Sequence, residues 1–314
     1  MLEQFMEIHD SCVSETVSNA NVSAYVSANV SARVSTGVQP TSLEVTIGGG
    51  RGPVYRHAEG NTAALWVPLH GRLHVLGDAG GIALRAGEML VSDPGEKILI
   101  KGRGACLWVS IIGSRDTWGE LMAGILDLPL PEFDLIPARY PASRALRRAA
   151  LELVRSSSRS SEVPFRKSAA ALKFAALVAE LQCGFDQSIS QCPGRTHAQQ
   201  RNVFLRLQRV RNYMAVNCHL DLDILHLASV ANYSPGHFIR AFTAAFGKTP
   251  HADLVGFRLE RALELIKVGN LAVIEVAVAS GFENRSAFSR LFKQHFGVTA
   301  AAMRRSGRQK KAAA

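Results

Sequence analysis

Two stretches about 50 residues apart carry one pattern. The first reads Asp223-Ile-Leu-His-Leu-Ala-Ser-Val-Ala-Asn-Tyr-Ser-Pro-Gly-His-Phe-Ile-Arg-Ala-Phe, and the second Val273-Ile-Glu-Val-Ala-Val-Ala-Ser-Gly-Phe-Glu-Asn-Arg-Ser-Ala-Phe-Ser-Arg-Leu-Phe. Each gives a short apolar helix, a tight turn, and a second helix bearing Phe-x-x-x-Phe with an arginine between. Asp223 is placed to cap the first helix, and Ser234-Pro235 supplies an N-cap followed by proline at the first helical position. Thr249-Pro250 repeats that signal for a long helix to Lys267, ended by Gly269-Asn270. In the second copy Gly281 sits where the turn needs a residue without a Cβ, and Asn284 caps a helix from Arg285 to Phe296. Thr299 opens one more short helix. The spacing therefore predicts an all-α C-terminal domain with two helix-turn-helix units.

Charge follows the same division. From Arg195 onward there are 18 Lys+Arg against 7 Asp+Glu, a net of +11. The whole chain has 36 and 26, leaving 18 and 19 before that point, a net of −1. A basic segment laid over two helix-turn-helix units is the footprint of a polyanion partner, here double-stranded DNA. The long helix of 18 residues from Pro250 to Lys267 spans ~27 Å at 1.5 Å per residue. With packing width added, the second helices of the two units are expected roughly 30–36 Å apart, about one DNA turn.

Helical facing nominates the contacting residues. Phe238 and Phe242 point into the first core, as do Phe288 and Phe292 in the second. The opposite faces then hold Gly236, His237, Ile239 and Arg240, and Arg285, Ser286, Ala287, Ser289 and Arg290. Arg285 is expected at a base edge. Arg240 and Arg290 fit either a bidentate contact to guanine or a phosphate contact that adds affinity alone. Gly236 and Ile239 offer the first unit little direct hydrogen-bond readout.

Before residue 200 the chain changes character. Residues 1–40 repeat Val-Ser-Ala at a period of four and are expected to form a mobile or weakly helical leader. From Leu43 to Ile112 short strands separated by glycine turns predict a β-sandwich or small barrel. Gly71 is read as a turn between Thr62–His70 and Arg72–Leu76. Helices are expected after Pro141. One has Leu146, Ala149, Ala150 and Leu153 on a face, and another, over 165–185, has Phe165, Leu172, Ala176 and Ala179. These two pair either within the subunit or across a homodimer. Residues 186–199 read as the interdomain linker and 307–314 as a basic tail. The class is α+β and multidomain: an all-β domain with trailing helices over 41–185, then an all-α domain over 200–306.

The pattern Leu-Ala-x4-Tyr-Ser-Pro-x-His-Phe-x-Arg-x-Phe, the spacer Arg258-Leu-Glu-Arg-Ala-x-x-Leu-Ile, and Gly-Phe-x-Asn-x-Ser-x-Phe-Ser-Arg-x-Phe-Lys-x-x-Phe-Gly-Val-Thr closely resemble the AraC/XylS family of bacterial transcription regulators. By matching position, the resemblance implies base contacts from Gly236, Ile239 and Arg240, and from Arg285, Ser286, Ala287 and Arg290. Ala300 departs from the proline usual there. Leu69-His-Gly-Arg-Leu and the run from Leu84 to Gly95 look like the cupin-like effector and dimerisation domain that precedes such units. The implied function is sequence-specific regulation of transcription, as an activator working with RNA polymerase. A small-molecule effector, unidentified, is the expected control; a regulator under partner or expression-level control is the alternative.

The enzyme classes find little support. A metal-dependent cupin needs clustered ligands, and four residues along a strand set His70 and His74 ~13 Å apart, too far to share an ion. No metal or cofactor is expected. Trp66, His70 and Trp108 line either an organic pocket or, more simply, the core. The five cysteines are scattered, with no C-x-x-C pair, which argues for reduced thiols. Without a run of 18 apolar residues or a secretory signal, the expected location is cytoplasmic, on the nucleoid.

Overall fold

A computed structural model describes residues 43–49, 53–57, 62–77, 80–94, 96–126, 135–157, 169–268 and 271–312. The leader, Phe165 and the Gly269-Asn270 stop lie outside them. Seven antiparallel strands, β1 (Glu44–Gly49), β2 (Pro53–His57), β3 (Thr62–Gly77), β4 (Gly80–Arg85), β5 (Glu88–Val91), β6 (Lys97–Ser114) and β7 (Ala138–Pro141), form one sheet. Its main path is β1-β6-β3-β5-β7, with β2 on β6 and β4 on β3.

Gly71 does not end a strand. Its φ of +74° lies within a single 16-residue β3, beside register shifts against β6 at Pro68/His70 and His70/Arg72. It is a bulge that bends a long strand: the left-handed residue kinks the pairing without breaking it. Both faces of β3 are buried. Leu65 and Val67 enter one core, while Trp66 and Leu73 enter another with Trp108. Trp66 and Trp108 are 1% and 3% exposed, so they are core; His70 is exposed and joins no pocket with them.

Helix α1 (Arg115–Leu126) went unread in the sequence. Ser114 caps it, its Oγ accepting from Thr117 N at 3.1 Å, and buried Trp118 donates to Ala63 O at 3.2 Å. Helix α2 (Arg144–Ser157) buries Leu146, Ala149, Ala150 and Leu153, the expected face. Helix α3 (Ala169–Cys183) turns a different face inward: Ala171, Phe174, Ala175, Val178, Ala179 and Gln182. Of the residues expected there, Ala179 is buried but Leu172 is 44% exposed and Ala176 is exposed. The two helices pack on each other within the chain, in the core that also covers one face of the sheet.

The segment read as a linker is folded. It holds α4 (Asp186–Ser190), packed on α5 (His197–Asn217) with Ile189 fully buried. Phe185 stacks against Tyr140 at 5.9 Å and Phe204 at 5.4 Å, so rings run from β7 into the helical domain. Ile136 sits in that same helical core. A fragment 195–314 discards Phe185, Ile189 and Cys192; it is expected to be about 2–3 kcal/mol less stable in urea than 184–314.

The remaining helices are α6 (Ile224–Val230), α7 (Pro235–Phe246), α8 (Pro250–Val268), α9 (Val273–Ala279), α10 (Arg285–Phe296) and α11 (Ala300–Ala312). Helix α11 takes in most of the stretch read as a tail. Two separate hydrophobic clusters form here. One lies under α5, α6 and α7; the other lies under α9, α10 and α11. Helix α8 serves both, with Leu254 in the first and Leu259, Ala262 and Ile266 in the second. At 19 residues it is about 28 Å long and connects the units rigidly.

Candidate nucleic-acid interface

Each unit is built from a capped helix pair around stacked phenylalanines. Asp223 Oδ1 accepts from His226 N at 2.6 Å, and Asn284 Oδ1 accepts from Ser286 N at 2.8 Å and Ala287 N at 3.0 Å. Thr249 and Thr299 cap α8 and α11 in the same way. Ser234 stands at the N-cap of α7 without a side-chain bond, so Pro235 carries that start. Ala272 cannot cap α9; instead Glu275 reaches back and accepts from Ala272 N at 2.6 Å. Phe238 and Phe242 are 5.5 Å apart and fully buried, as are Phe288 and Phe292 at 5.5 Å.

The turns differ in residue but not in conformation. Asn232 has φ +55° and Gly281 φ +86°. Asparagine tolerates this region through its short polar side chain. Gly281 has a second constraint, because an added Cβ would lie 2.8 Å from Cys218 O and 2.9 Å from His219 Cα. The second turn thus presses directly on the end of α5, joining the two units.

The arginines of this domain sort into two groups. One is spent inside. Arg258 donates through Nε to Cys218 O at 2.7 Å and through Nη2 to Leu220 O at 3.0 Å, while Arg261 Nε donates to Ala279 O at 3.0 Å. Arg304 donates to Leu271 O at 3.1 Å. Arg211 pairs with the buried Asp253 at 2.6 Å and lies over Phe246, 4.8 Å from its centroid. These side chains close helix ends and fix α8 against both units. Charge counting cannot see that, though an arginine spaced along a connecting helix opposite two helix termini is a usable signal.

The other group faces outward. Arg240, Arg285 and Arg290 are exposed and, among the described residues, form no ion pair or hydrogen bond. Around them Gly236, His237, Ser286 and Ser289 are exposed, Ile239 is 38% exposed, and Ala287 is half-buried. All nine nominated residues therefore lie on α7 or α10, on the sides opposite the buried phenylalanines. His237 stacks on Tyr233 at 4.5 Å, and Arg206 lies over the same Tyr233 ring at 5.6 Å. That stack extends the basic surface of the first unit onto α5, a feature the facing argument missed because Arg206 comes from another helix.

Against known proteins, the match is confined to this region. A family model described as a helix-turn-helix domain covers residues 227–306. Residues 227–306 are an AraC-type helix-turn-helix domain. The chain is 31% identical over 109 residues to the MmsAB operon regulatory protein of Pseudomonas aeruginosa, covering 35% of this chain and 36% of that protein. It is 32% identical over 90 residues to the HTH-type transcriptional regulator MtrA of Neisseria gonorrhoeae, covering 29% and 30%. The matched part is thus about a third of the length of these relatives. Among solved structures, the DNA-binding domain of AdpA in complex with a target DNA is 28% identical, covering 33% of this chain and 95% of that one, with a TM-score of 0.32. The matched AraC-type region contains both candidate reading helices and the whole of α8 between them.

No group of three His, Cys, Asp or Glu placed to hold a metal occurs among the described residues. Nor is any helix among them long and apolar enough to cross a membrane. Of the thiols, Cys192 is pushed up to about 11 by burial, and burial also raises Cys218. Both are core groups.

Proposed function

We propose that the chain is a sequence-specific DNA-binding regulator of transcription whose two helix-turn-helix units enter successive major grooves. The observation that carries this reading is the division of the arginines. A domain that only needed charge for solubility would not bind Arg211, Arg258, Arg261 and Arg304 internally and leave Arg240, Arg285 and Arg290 unpaired on two equivalent helices. The reading faces are Gly236, His237, Ile239 and Arg240 on α7, and Arg285, Ser286, Ala287, Ser289 and Arg290 on α10. The first face is poor in hydrogen-bond donors beyond His237 and Arg240, so it positions the protein while α10 supplies more of the base discrimination.

The sheet domain is assigned the control function, through a small effector. The sign we assign is activation through contact with RNA polymerase, in keeping with the family resemblance. A cytoplasmic location on the nucleoid fits this role.

Arg285→Ala is expected to relax preference at one position of the bound site. The loss should be about 1–3 kcal/mol of discrimination between the preferred base and its alternatives. Binding across a randomised duplex library reads this directly. A variant that lost affinity uniformly at every sequence would place Arg285 on phosphate instead.

A further inference from the structure

Where the sheet domain meets α5 there is a cavity of about 60 Å³ whose walls come from both domains. Its floor is aliphatic: Val75 on β3, Ile82 on β4 and Ile98 on β6. Its rim is charged, with Asp93 and Glu96 from the β5–β6 connection facing Arg209 of α5. Asp93 and Arg209 form an ion pair across the domain boundary at 2.8 Å, with side chains 26% and 53% exposed. Asn212 also lines the cavity, but its amide is committed, donating to Pro137 O at 2.8 Å and accepting from Gln208 at 2.9 Å. Val216, one turn further along α5, closes the side nearest Gly80.

We propose that this junction binds a small aliphatic zwitterion, an ammonium and a carboxylate on one short branched carbon skeleton, and that binding is coupled to DNA. This rests on the reading of the sheet domain as an effector domain. Three features select the ligand class. The floor matches a compact aliphatic side chain and offers it no hydrogen bond, and its size suits a group of only a few heavy atoms. Two carboxylates on one lip suit an ammonium. The guanidinium on the other lip suits a carboxylate, which it can hold with two parallel bonds.

The ion pair already present is partly exposed and contributes little, so a ligand that supplies both charges replaces it at small cost. A ligand with one charge would instead leave the other lip unpaired. Coupling follows from where Arg209 sits. Helix α5 packs on α7 and α8 and carries the Arg206–Tyr233–His237 stack, so a displaced Arg209 lip moves a helix built into the first reading unit.

The test is isothermal titration of the full-length chain with L-valine, isobutyrate and isobutylamine, without DNA and then with its selected duplex. L-valine is expected to bind and to raise the Tm by mass action on the folded state. Isobutyrate and isobutylamine, each lacking one charge, are expected to bind at least about tenfold more weakly, the scale of one lost charge-assisted contact. Arg209→Met and Asp93→Asn should each weaken L-valine about tenfold, with Arg209→Lys recovering part of the loss. The Kd for L-valine should differ between the free and DNA-bound chain, by the same factor that L-valine changes the Kd for DNA.

Equal binding of either half-ligand, or no heat with L-valine at millimolar concentration, would overturn the site assignment. An unchanged Kd on DNA would overturn the coupling. Because the first titration contains no DNA, failure of the ligand site and failure of DNA binding are separately visible.

Discussion

Gly281→Val is expected to destabilise the helical domain by roughly 2–5 kcal/mol, combining a β-branched residue at positive φ with overpacking. The φ of +86° alone disfavours any side chain, and the new Cβ would press on Cys218 O and His219 Cα, which are backbone and cannot swing aside. Asn232→Gly at the matching turn of the first unit should change stability by only about half a kcal/mol, since Asn232 is exposed and already tolerates the left-handed region. Urea unfolding of both variants checks the contrast. Similar, small effects at the two turns would mean that the second turn does not press against α5.

Phe292→Ala should cost about 3–5 kcal/mol, the range for emptying a fully buried aromatic site. Phe292 is 0% exposed and stacks with Phe288 at 5.5 Å and Phe296 at 4.6 Å, so its removal opens the centre of the second unit. The first unit has its own cluster around Phe238, Phe242 and Phe246 and should remain folded. The DNA consequence is specific: selected sites should retain one block of sequence and lose the other. Retention of both blocks by a variant with a melted α10 would remove α10 from the reading surface.

The helix-turn-helix units were legible because their determinants are local. A cap such as Asn284, a turn residue such as Gly281 and a Phe pair four apart each act within a few residues of chain. The nine nominated residues emerged on the outward faces for the same reason: helical facing needs only the period of 3.6.

Where the reading went astray, the signal was flat or distant. Helix α3 is rich in alanine and leucine on every side, so Leu172 and Ala176 look as internal as Ala171 and Ala175; only the position of α2 and the sheet decides the face. Gly71 marks a positive φ correctly, but a glycine alone does not tell a turn from a bulge. The roles of Arg258 and Arg261 depend on helix ends about 40 and 18 residues away in sequence. The Asp93–Arg209 pair joins residues separated by 116 positions, beyond any local pattern.

The most direct test of the central claim is selection of bound duplexes from a randomised library by the full-length protein at near-physiological salt. Two reading helices joined by a rigid α8 of about 28 Å predict a recovered motif of two blocks, their centres about one helical turn apart. A bound pool with no shared sequence, held by salt-sensitive affinity alone, would contradict it.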